Sequence, residues 1–338
     1  MLPKMGKISP EVFRRVIKPQ LGAKAPGVVV PPQHGVDCGV IEIGGKYVVV
    51  ESDPFYIAKE LGFELASWFA VHILASDVAS MGAKPTYLCV DLNLPLQISD
   101  EELEELWKYT HKACEELGVN IVAGHTARYP DCNYPMVGGA TMLGICTKYV
   151  TPKNAKPGDA LILTKGAAIE AAGLLSMFFK EEVEKRLGSE MTKRANALCY
   201  KMSVVEEALT AFETGGVNAM HDATECGVYG ALWEMAEASG VGMQVERGKI
   251  IVKPEVDAIC DMFQIDPYIS ISEGTLLISC GRERVDEILK AIEGKGIEAG
   301  VIGEVVKGSG VELDGKPLAH PKEDPFWNAC SGKTMKPG

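Results

Sequence analysis

The sequence predicts an α+β protein of two domains built around mixed β-sheets. Its 338 residues exceed one ordinary hydrophobic core, because domains commonly hold about 150 residues. Strand-like and helix-like segments alternate along the chain, but hairpins between them argue against a purely parallel sheet. The segment Thr151–Asp159 concentrates Pro, Gly and Lys between two apolar strands, which indicates a domain boundary.

The first half begins with a short helix predicted over Ser9–Ile17, with Ser9 as N-cap and Pro10 in the first helical position. The next segment, Gly22–Pro32, is punctuated by Gly and Pro and predicts a loop. Apolar alternation then predicts five strands. These strands are Val36–Ile43, Lys46–Glu51, Thr86–Leu94, Asn120–Ala123 and Val137–Tyr149.

Two longer helices in this half carry end signals. Phe63–Met81 has apolar residues at helical spacing and stops at Gly82, a natural C-cap. Ser99 and Glu102 form a capping box that opens a helix ending near Gly118. In the second half, helices are predicted at Ile169–Phe179, Ser203–Thr214, Gly230–Ser239 and Glu283–Glu293. Strands are predicted there at Ala160–Leu163, Gly242–Glu246, Thr275–Ser279 and Val301–Val305.

Composition excludes several classes of protein. With 46% hydrophobic and 24% charged residues, the chain is typical of a globular protein, and no apolar run approaches the roughly 20 residues of a membrane span. A net charge of −12 argues against nucleic-acid binding, which needs basic surfaces. The ten cysteines contain no C-x-x-C pair, so neither a zinc site nor a disulfide scaffold is indicated. Without a signal peptide, we expect a cytoplasmic protein with reduced cysteines.

Three aspartates in the first half stand in unusual settings. Asp37 precedes a predicted strand, Asp53 ends another, and Asp77 lies on an otherwise apolar helix. A carboxylate on an apolar helix loses several kcal/mol of solvation unless it finds a partner. Asp77 is therefore either a core residue bonded to its surroundings or a ligand for Mg²⁺, which prefers oxygen and shares it with substrate phosphates. Asp37 and Asp53, taken singly, fit a turn role better than a ligand role, because Asp suits the ends of strands.

Two polar segments could approach a phosphate. The predicted loop Val122–Ala127, V-A-G-H-T-A, follows a strand, and its glycine allows close approach of a backbone. Asp222 and Thr224 lie just ahead of a helix, where they either cap it or place a ligand at its N-terminus. Neither a Walker A loop nor a G-x-G-x-x-G motif is present. The residues alone therefore indicate dispersed acidic and glycine-containing segments suited to a metal–phosphate ligand.

In this order, the segments resemble a known superfamily. The pieces are D-C-G-V, E-S-D-P-F, A-S-D-V-A-S-M-G-A-K-P, G-H-T and H-D-A-T-E-C-G-V-Y-G-A-L-W-E-M-A. They are similar to motifs of the PurM-like superfamily, which contains aminoimidazole ribonucleotide (AIR) synthetase, selenophosphate synthetase, thiamine monophosphate kinase and HypE. Together they cover roughly residues 34–306, and the third piece is the most specific.

The resemblance implies a two-domain PurM-like fold in which helices pack on one face of each mixed sheet. It also implies a homodimer formed through the N-terminal sheets, with ATP bound near that interface. Carried over by position, the Mg²⁺ ligands would be Asp37, Asp53, Asp77 and Asp222. The residues around the nucleotide would be Gly124, His125, Thr126, Asp53 and Thr224.

Both ends of the chain bear on which member it resembles. I-S-E-G-T, V-I-G-E-V and D-P-F-W-N-A-C are similar to segments of HypE, which carries a carbamoyl group on a terminal cysteine and dehydrates it with ATP. Here Cys330 matches that cysteine but is followed by eight residues, so a carrier thiol and a passive cysteine both stay open. At the other end, G-K-I-S-P is similar to a segment of selenophosphate synthetase, and Lys7 of this chain would match the active lysine of that enzyme. The cysteine that precedes that lysine in the enzyme is absent here.

We therefore expect an ATP- and Mg²⁺-dependent, HypE-like enzyme of [NiFe]-hydrogenase maturation, with a carbamoyl-transferring protein as partner. Alternatives are a selenophosphate synthetase-related kinase or synthetase and a non-catalytic, nucleotide-binding scaffold. The expected organisation is an N-terminal arm (1–33), an ATP-binding and dimer-forming domain (34–150), an AIR synthetase-like domain (151–327) and a flexible tail (328–338). Neither nucleic acid nor membrane is expected as a partner.

Overall fold

In the computed structural model, which describes residues 6–331 and residue 335, the strands form two sheets. The first has six strands in the order β1-β2-β3-β6-β4-β5. Its strands are β1 (Val28–Val30), β2 (Gly39–Ile43), β3 (Lys46–Ile57), β4 (Pro85–Leu94), β5 (Asn120–Arg128) and β6 (Met136–Cys146). Neighbours run antiparallel except β4 and β5, which are parallel.

The second sheet has seven strands in the order β13-β12-β9-β11-β7-β10-β8. Its strands are β7 (Ala160–Thr164), β8 (Val217–Ala223), β9 (Gly242–Val245), β10 (Thr275–Cys280), β11 (Ala299–Val306), β12 (Gly310–Leu313) and β13 (Lys316–Pro317). Only β9 and β12 pair in parallel. Both sheets are mixed, as the sequence predicts.

Eleven α-helices occur among the described residues. They are α1 (Pro10–Val12), α2 (Gly62–Ser80), α3 (Asp100–Leu117), α4 (Ile169–Phe178), α5 (Lys180–Leu187), α6 (Ser189–Ala197), α7 (Val205–Thr214), α8 (Gly227–Ser239), α9 (Pro254–Phe263), α10 (Val285–Glu293) and α11 (Phe326–Cys330). The predicted capping box of α3 is present, with Ser99 and Glu102 bonding each other's backbone N–H. The sequence did not predict α5, α6, α9 or α11.

Helix α2 is the structural centre of the molecule. It packs on β3 and β6 of the first sheet, and it also contacts α7 and β8 of the second half. Because it touches protein on nearly every side, most of its residues are buried, as expected for a helix that is apolar all round. With the preceding turn it is also long and apolar enough to cross a membrane, but most of it is buried inside the protein, as in a core helix. Gly82, with φ of 75°, ends it as predicted.

Two strands are longer than the sequence predicts. β3 continues to Ile57, so Asp53 lies inside the strand and not at its end. β2 stops pairing at Val50, which leaves β3 with one free side around Pro54, and proline is tolerated there. β5 runs on through Arg128, so the predicted Val122–Ala127 loop is wrong and those residues form an edge strand.

The two ends of the chain pack against the body. The predicted Ser9–Ile17 helix is present, with Ser9 as N-cap of α1, although Phe13–Ile17 winds as a π-helix. The predicted Gly22–Pro32 loop is wrong in part, since β1 lies within it. At the carboxyl end, Ala329 is fully buried, so the expected flexible tail is ordered through α11. The last residues of that expected tail lie mostly outside the described part of the chain.

Candidate metal centre

Five carboxylates from both halves of the chain gather where the two sheets approach each other. Asp77 comes from α2, and Asp222 comes from β8, the edge strand of the second sheet that contacts α2. Glu51 and Asp53 come from β3, on the strand face that also carries the buried Phe55. The fifth, Asp37, lies just ahead of β2. The four aspartates predicted as Mg²⁺ ligands therefore belong to one cluster.

The cluster divides into two groups that could each hold a cation. Glu51, Asp53 and Asp77 form one, and Asp37, His221 and Asp222 form the other. Within each group, one ligand atom from every member lies within 4.8 Å of the others. Asp77 connects the groups, because its side chain meets both Glu51 and Asp222.

Burial leaves several of these oxygens without a partner. Asp222 is fully buried, and neither of its carboxylate oxygens has a hydrogen-bond partner within the described protein. One buried oxygen of Glu51 is in the same state. An unpaired buried carboxylate is costly unless it is neutralised or coordinates a metal. Oxygen donors of this kind are the ligands that Mg²⁺ prefers, so the residues present fit that ion.

Electrostatics within the protein alone are unfavourable for the cluster. Burial, and then the charges of Asp222, Asp37 and Glu51, raise the pKa of Asp77 well above its usual value. Burial and the charge of Asp53 raise the pKa of Glu51 to about 8, and burial and Asp37 raise the pKa of Asp222 to about 6. Like charges this close either bind protons or bind a cation. A divalent cation would remove the repulsion.

His221 bridges the cluster and α8. Its Nδ1 lies 3.0 Å from Asp37 Oδ2, and its Nε2 lies 2.8 Å from Glu234 Oε2. Burial lowers the pKa of His221, but the nearby carboxylates of Asp37 and Glu234 outweigh burial and raise it well above its usual value. The same contacts hold the pKa of Asp37 below its usual range, against the effect of burial.

Lys7 reaches the cluster from the N-terminal arm. Its Nζ donates to Thr224 Oγ1 at 3.2 Å, and its backbone N–H donates to Glu225 Oε2 at 2.9 Å. Burial of the ammonium lowers its pKa, but Asp37, Glu234 and other nearby carboxylates raise it overall. Lys7 and Thr224, predicted separately from the two halves of the chain, are thus in direct contact.

A second set of buried carboxyls lies on the C-terminal side of the same region. Glu170 Oε2 accepts from the backbone N–H of Glu273 at 3.0 Å. The two oxygens of Asp324 accept from the N–H groups of Cys226 at 2.7 Å and Phe326 at 2.9 Å. Burial raises the pKa of Glu170 to about 8 and that of Asp324 to about 7. Unlike the first cluster, most of these oxygens face backbone donors.

The predicted nucleotide residues Gly124, His125 and Thr126 lie on the exposed edge strand β5. Strands β6 and β4 separate them from β3, which carries Glu51 and Asp53. A Cβ on Gly124 would lie 2.4 Å from the carbonyl oxygen of Val90, so close packing of β5 on β4 already requires glycine there. His125 Nε2 lies 3.1 Å from the hydroxyl of Tyr129.

Cys330 ends α11 and is partly buried. Burial, and then the charge of Glu60, raise the pKa of its thiol, which disfavours the nucleophilic thiolate. Burial, and then the charge of Cys330, raise the pKa of Tyr56. Tyr56 lies on β3, three residues beyond Asp53. The candidate carrier cysteine is therefore held near the strand that supplies the acidic cluster.

Sequence reasoning missed Glu51, His221 and Glu234. For Glu51 a signal existed, since it shares strand parity with the apolar Val49 and so falls on the buried face. His221 likewise interrupts the apolar run of β8, whose last five residues are all buried. Glu234 lies in the middle of α8, and nothing in its local sequence indicates that it faces His221.

Comparison with known proteins agrees with this architecture. The family model described as AIR synthase related protein, N-terminal domain, matches residues 35–146, and the corresponding C-terminal domain model matches residues 156–316. The chain belongs to the AIR synthase-related family. The two matches each cover one of the two sheets, apart from a few edge residues.

Individual members of the AIR synthase-related family are similar over most of the chain. A putative hydrogenase expression/formation protein of Methanocaldococcus jannaschii is 28% identical, covering 89% of both chains. Carbamoyl dehydratase HypE of Cupriavidus necator is 30% identical over 78% of this chain and 74% of its own. Among solved structures, E. coli HypE superposes with a TM-score of 0.72 at 24% identity, covering 84% of this chain and 88% of that one. The structural likeness confirms the PurM-like fold.

Proposed function

We propose that this chain is an ATP- and Mg²⁺-dependent enzyme, related to carbamoyl dehydratase HypE, that acts in [NiFe]-hydrogenase maturation. The observation that carries the proposal is the meeting of the buried side chains of Asp77 and Asp222, from the two halves of the chain, beside Asp37 and Glu51. The similarity to HypE of Cupriavidus necator over 78% of the chain supports the choice within the family. The reaction class is ATP-driven dehydration of a carbamoyl group.

The acidic cluster would hold Mg²⁺ through Asp37, Asp53, Asp77 and Asp222, with Glu51 as a fifth carboxylate. When bound, the ion would neutralise phosphate charge and polarise a phosphoryl oxygen. The residues of the chain contribute position. Because Asp77 and Asp222 sit on a buried helix and a buried strand, their oxygens are fixed before the nucleotide arrives.

Lys7 would add a mobile positive charge to the same place. Its ammonium donates to Thr224 Oγ1 and acts on several carboxylates of the cluster, so it lies where phosphate oxygens would enter. A lysine acts there as a point charge that follows the phosphate. This placement also favours a second candidate function, a kinase or synthetase related to selenide, water dikinase, of which the Aeromonas hydrophila protein is 29% identical over 74% of this chain.

Cys330 is our candidate carrier of the carbamoyl group. Its position at the end of a short helix near Tyr56 and Glu60 keeps it close to β3, but its raised pKa means that the thiol needs activation by a partner or a movement of α11. A solved HypE–HypF complex, similar to this chain at a TM-score of 0.71, suggests the class of partner that would load it. A carbamoyl-transferring maturation protein is that partner.

We further propose a homodimer formed through the bare face of the first sheet. Apolar side chains point away from the core on that face, namely Tyr56, Tyr87, Val137 and Ile145, with exposures of 37–51%. Exposed apolar patches of this kind mark interaction surfaces. A partner sheet would also bring Gly124, His125 and Thr126 of β5 against a second protomer, which is the arrangement in which they would contact ATP.

The test follows the carbamoyl group. The protein is incubated with Mg²⁺, ATP and carbamoylated HypF-type partner, and intact-mass and peptide spectra are recorded. The proposal expects Cys330 to gain a carbamoyl mass and then lose water with matching ADP release. A Cys330→Ser variant should keep nucleotide binding and lose both adducts.

Other outcomes separate the alternatives. Turnover of ATP that needs a small-molecule acceptor and ignores Cys330→Ser would support the kinase or synthetase. Tight ATP binding with no turnover under either condition would identify a scaffold and overturn the enzyme proposal.

A further inference from the structure

We infer that His221 is a nitrogen ligand of the cation held between Asp37 and Asp222, so that this position accepts Mn²⁺ and related transition-metal cations better than Mg²⁺. The inference rests on the proposed function, because it concerns one of the two cation positions of the same cluster. It adds a nitrogen donor to the four predicted ligands, which are all oxygen donors.

The geometry around the imidazole is that of a ligand. His221 Nδ1 lies 3.0 Å from Asp37 Oδ2 and 3.9 Å from Asp222 Oδ1. The three residues therefore place one nitrogen and two carboxylate oxygens around a single small volume. His221 and Asp222 are both fully buried, so their orientation is set by the surrounding β-strand and helices.

Glu234 completes the arrangement on the far side of the ring. Its Oε2 lies 2.8 Å from His221 Nε2, which assigns that nitrogen as the donor. Histidines that bind metals almost always donate their second ring N–H to a carboxylate or carbonyl, since this fixes the tautomer and ring orientation. With Nε2–H committed to Glu234, Nδ1 is the ring atom that faces Asp37 and Asp222, and a cation bound there would displace the Nδ1 proton.

The atoms that face this volume lack partners of their own. His221 Nδ1, Asp37 Oδ2 and both oxygens of Asp222 are buried and make no hydrogen bond with acceptable geometry among the described residues. A single cation would coordinate all of these atoms together. A structural histidine in a core has hydrogen-bond partners already and needs no cation.

The donor set decides the class of cation. The second group, Glu51, Asp53 and Asp77, offers only carboxylate oxygens, which suit hard Mg²⁺. Adding an imidazole nitrogen shifts preference toward Mn²⁺, Fe²⁺, Co²⁺ or Zn²⁺, which bind nitrogen more strongly. The cluster would then hold two unlike cations, connected by Asp77.

The test uses Mn²⁺ as the probe. Full-length protein is stripped with a chelator and loaded with MnCl₂, and pulsed electron paramagnetic resonance is recorded at cation saturation. We expect nitrogen modulation from a directly bound imidazole, which changes when the protein is grown with ¹⁵N-histidine. The result requires no variant, so it does not depend on the folding of a mutant.

Variants then assign the signal. His221→Asn should abolish the nitrogen modulation and weaken Mn²⁺ binding at least about 10-fold, with a smaller effect on Mg²⁺. Glu234→Gln should retain the modulation but weaken binding about 10-fold through lost orientation. The control is His111→Asn, on the exposed face of α3, which should change neither.

The failures are distinguishable. If Mn²⁺ and Mg²⁺ bind but nitrogen modulation is absent, His221 is an imidazolium paired with Asp37, and this inference is overturned while the proposed function stands. If neither cation binds with or without ATP, the proposed function fails as well.

Discussion

Two sets of buried carboxyls lie in the same region of this protein, and their oxygens have different surroundings. In the first, Asp77 and Asp222 face other carboxylates, and oxygens of Asp222 and Glu51 are left without donors. In the second, Asp324 receives two backbone N–H groups, and Glu170 receives one. Burial raises the pKa in both sets, so the pKa alone does not tell them apart.

The difference lies in what surrounds the oxygens: Asp324 accepts two backbone N–H groups, whereas Asp77 lies among other acids. Asp324 fixes the start of α8 and of α11, because it bonds the N–H of Cys226 and of Phe326. Asp77 lies among other acids, namely Asp222, Asp37 and Glu51.

The largest expected effect separates the sets by activity. Asp77→Asn should lower ATP turnover by more than about 100-fold, since the loss of an outer-shell partner alone typically costs about 10–100-fold and a direct ligand should cost more. In the same variant without cation, unfolding by urea should require more denaturant than in the wild type, because the amide removes a repelling charge and donates to Asp222 or Glu51. A variant that kept turnover would remove Asp77 from the ligand set.

The next effect is cation-dependent stability. At 100 times the dissociation constant, Mg²⁺ should raise the free energy of unfolding by about 2.7 kcal/mol. Asp222→Asn should abolish most of this gain, whereas Asp324→Asn should keep it. Thermal or urea melts with Mg²⁺ and with chelator measure both, and an equal gain in all three proteins would contradict the comparison.

Asp324→Asn should act on stability alone. The amide nitrogen would face one of the two N–H groups that Asp324 now accepts, and a buried unsatisfied donor costs about 1–3 kcal/mol. We expect that loss in urea unfolding at pH 7, with the dissociation constant for Mg²⁺ and ATP changed less than about twofold, within ordinary scatter. A loss of Mg²⁺ binding would move Asp324 into the cation site.

The last expected effect is a pH slope. The pKa of Glu170 is raised to about 8 in the folded protein, so between pH 5 and 8 the folded state binds more protons than the unfolded state. Its contribution to stability is thus complete below the unfolded pKa and is lost as the pH rises toward 8. Glu170→Gln keeps an acceptor for Glu273 N–H and should flatten the slope by at most about 1.4 kcal/mol per pH unit. Chelator-treated wild type and variant, melted at pH 5, 6.5 and 8, provide the comparison.

Much of the fold could be predicted because its signals are local. The capping box of α3 and the glycine after α2 are fixed within a few residues of chain. β3 and β5 were underestimated because Pro54 and Gly124 are poor strand residues in isolation. Each is allowed by a neighbour that the local sequence does not reveal, a missing strand beside Pro54 and a close one beside Gly124.

The site divides in the same manner. Asp77 was predictable because a carboxylate on an apolar helix needs an explanation, and the ordered motifs added Asp37, Asp53 and Asp222. The pairing of His221 with Glu234 was not predictable, since it depends on how α8 lies across β8. The predicted nearness of Gly124–Thr126 to the phosphates stays a prediction that depends on a second protomer.

Because Asp77 belongs to α2 and Asp222 to β8, neither half of the polypeptide alone contains all the proposed ligands of the cation. Cutting the chain within Thr151–Asp159 would give two pieces that each keep a sheet but only part of the ligand set. Reassociation of such fragments should then be metal-dependent, because an ion coordinated by residues of both fragments would stabilise the complex between them. The carboxylates of the cluster are accordingly dispersed over nearly 200 residues, from Asp37 to Asp222.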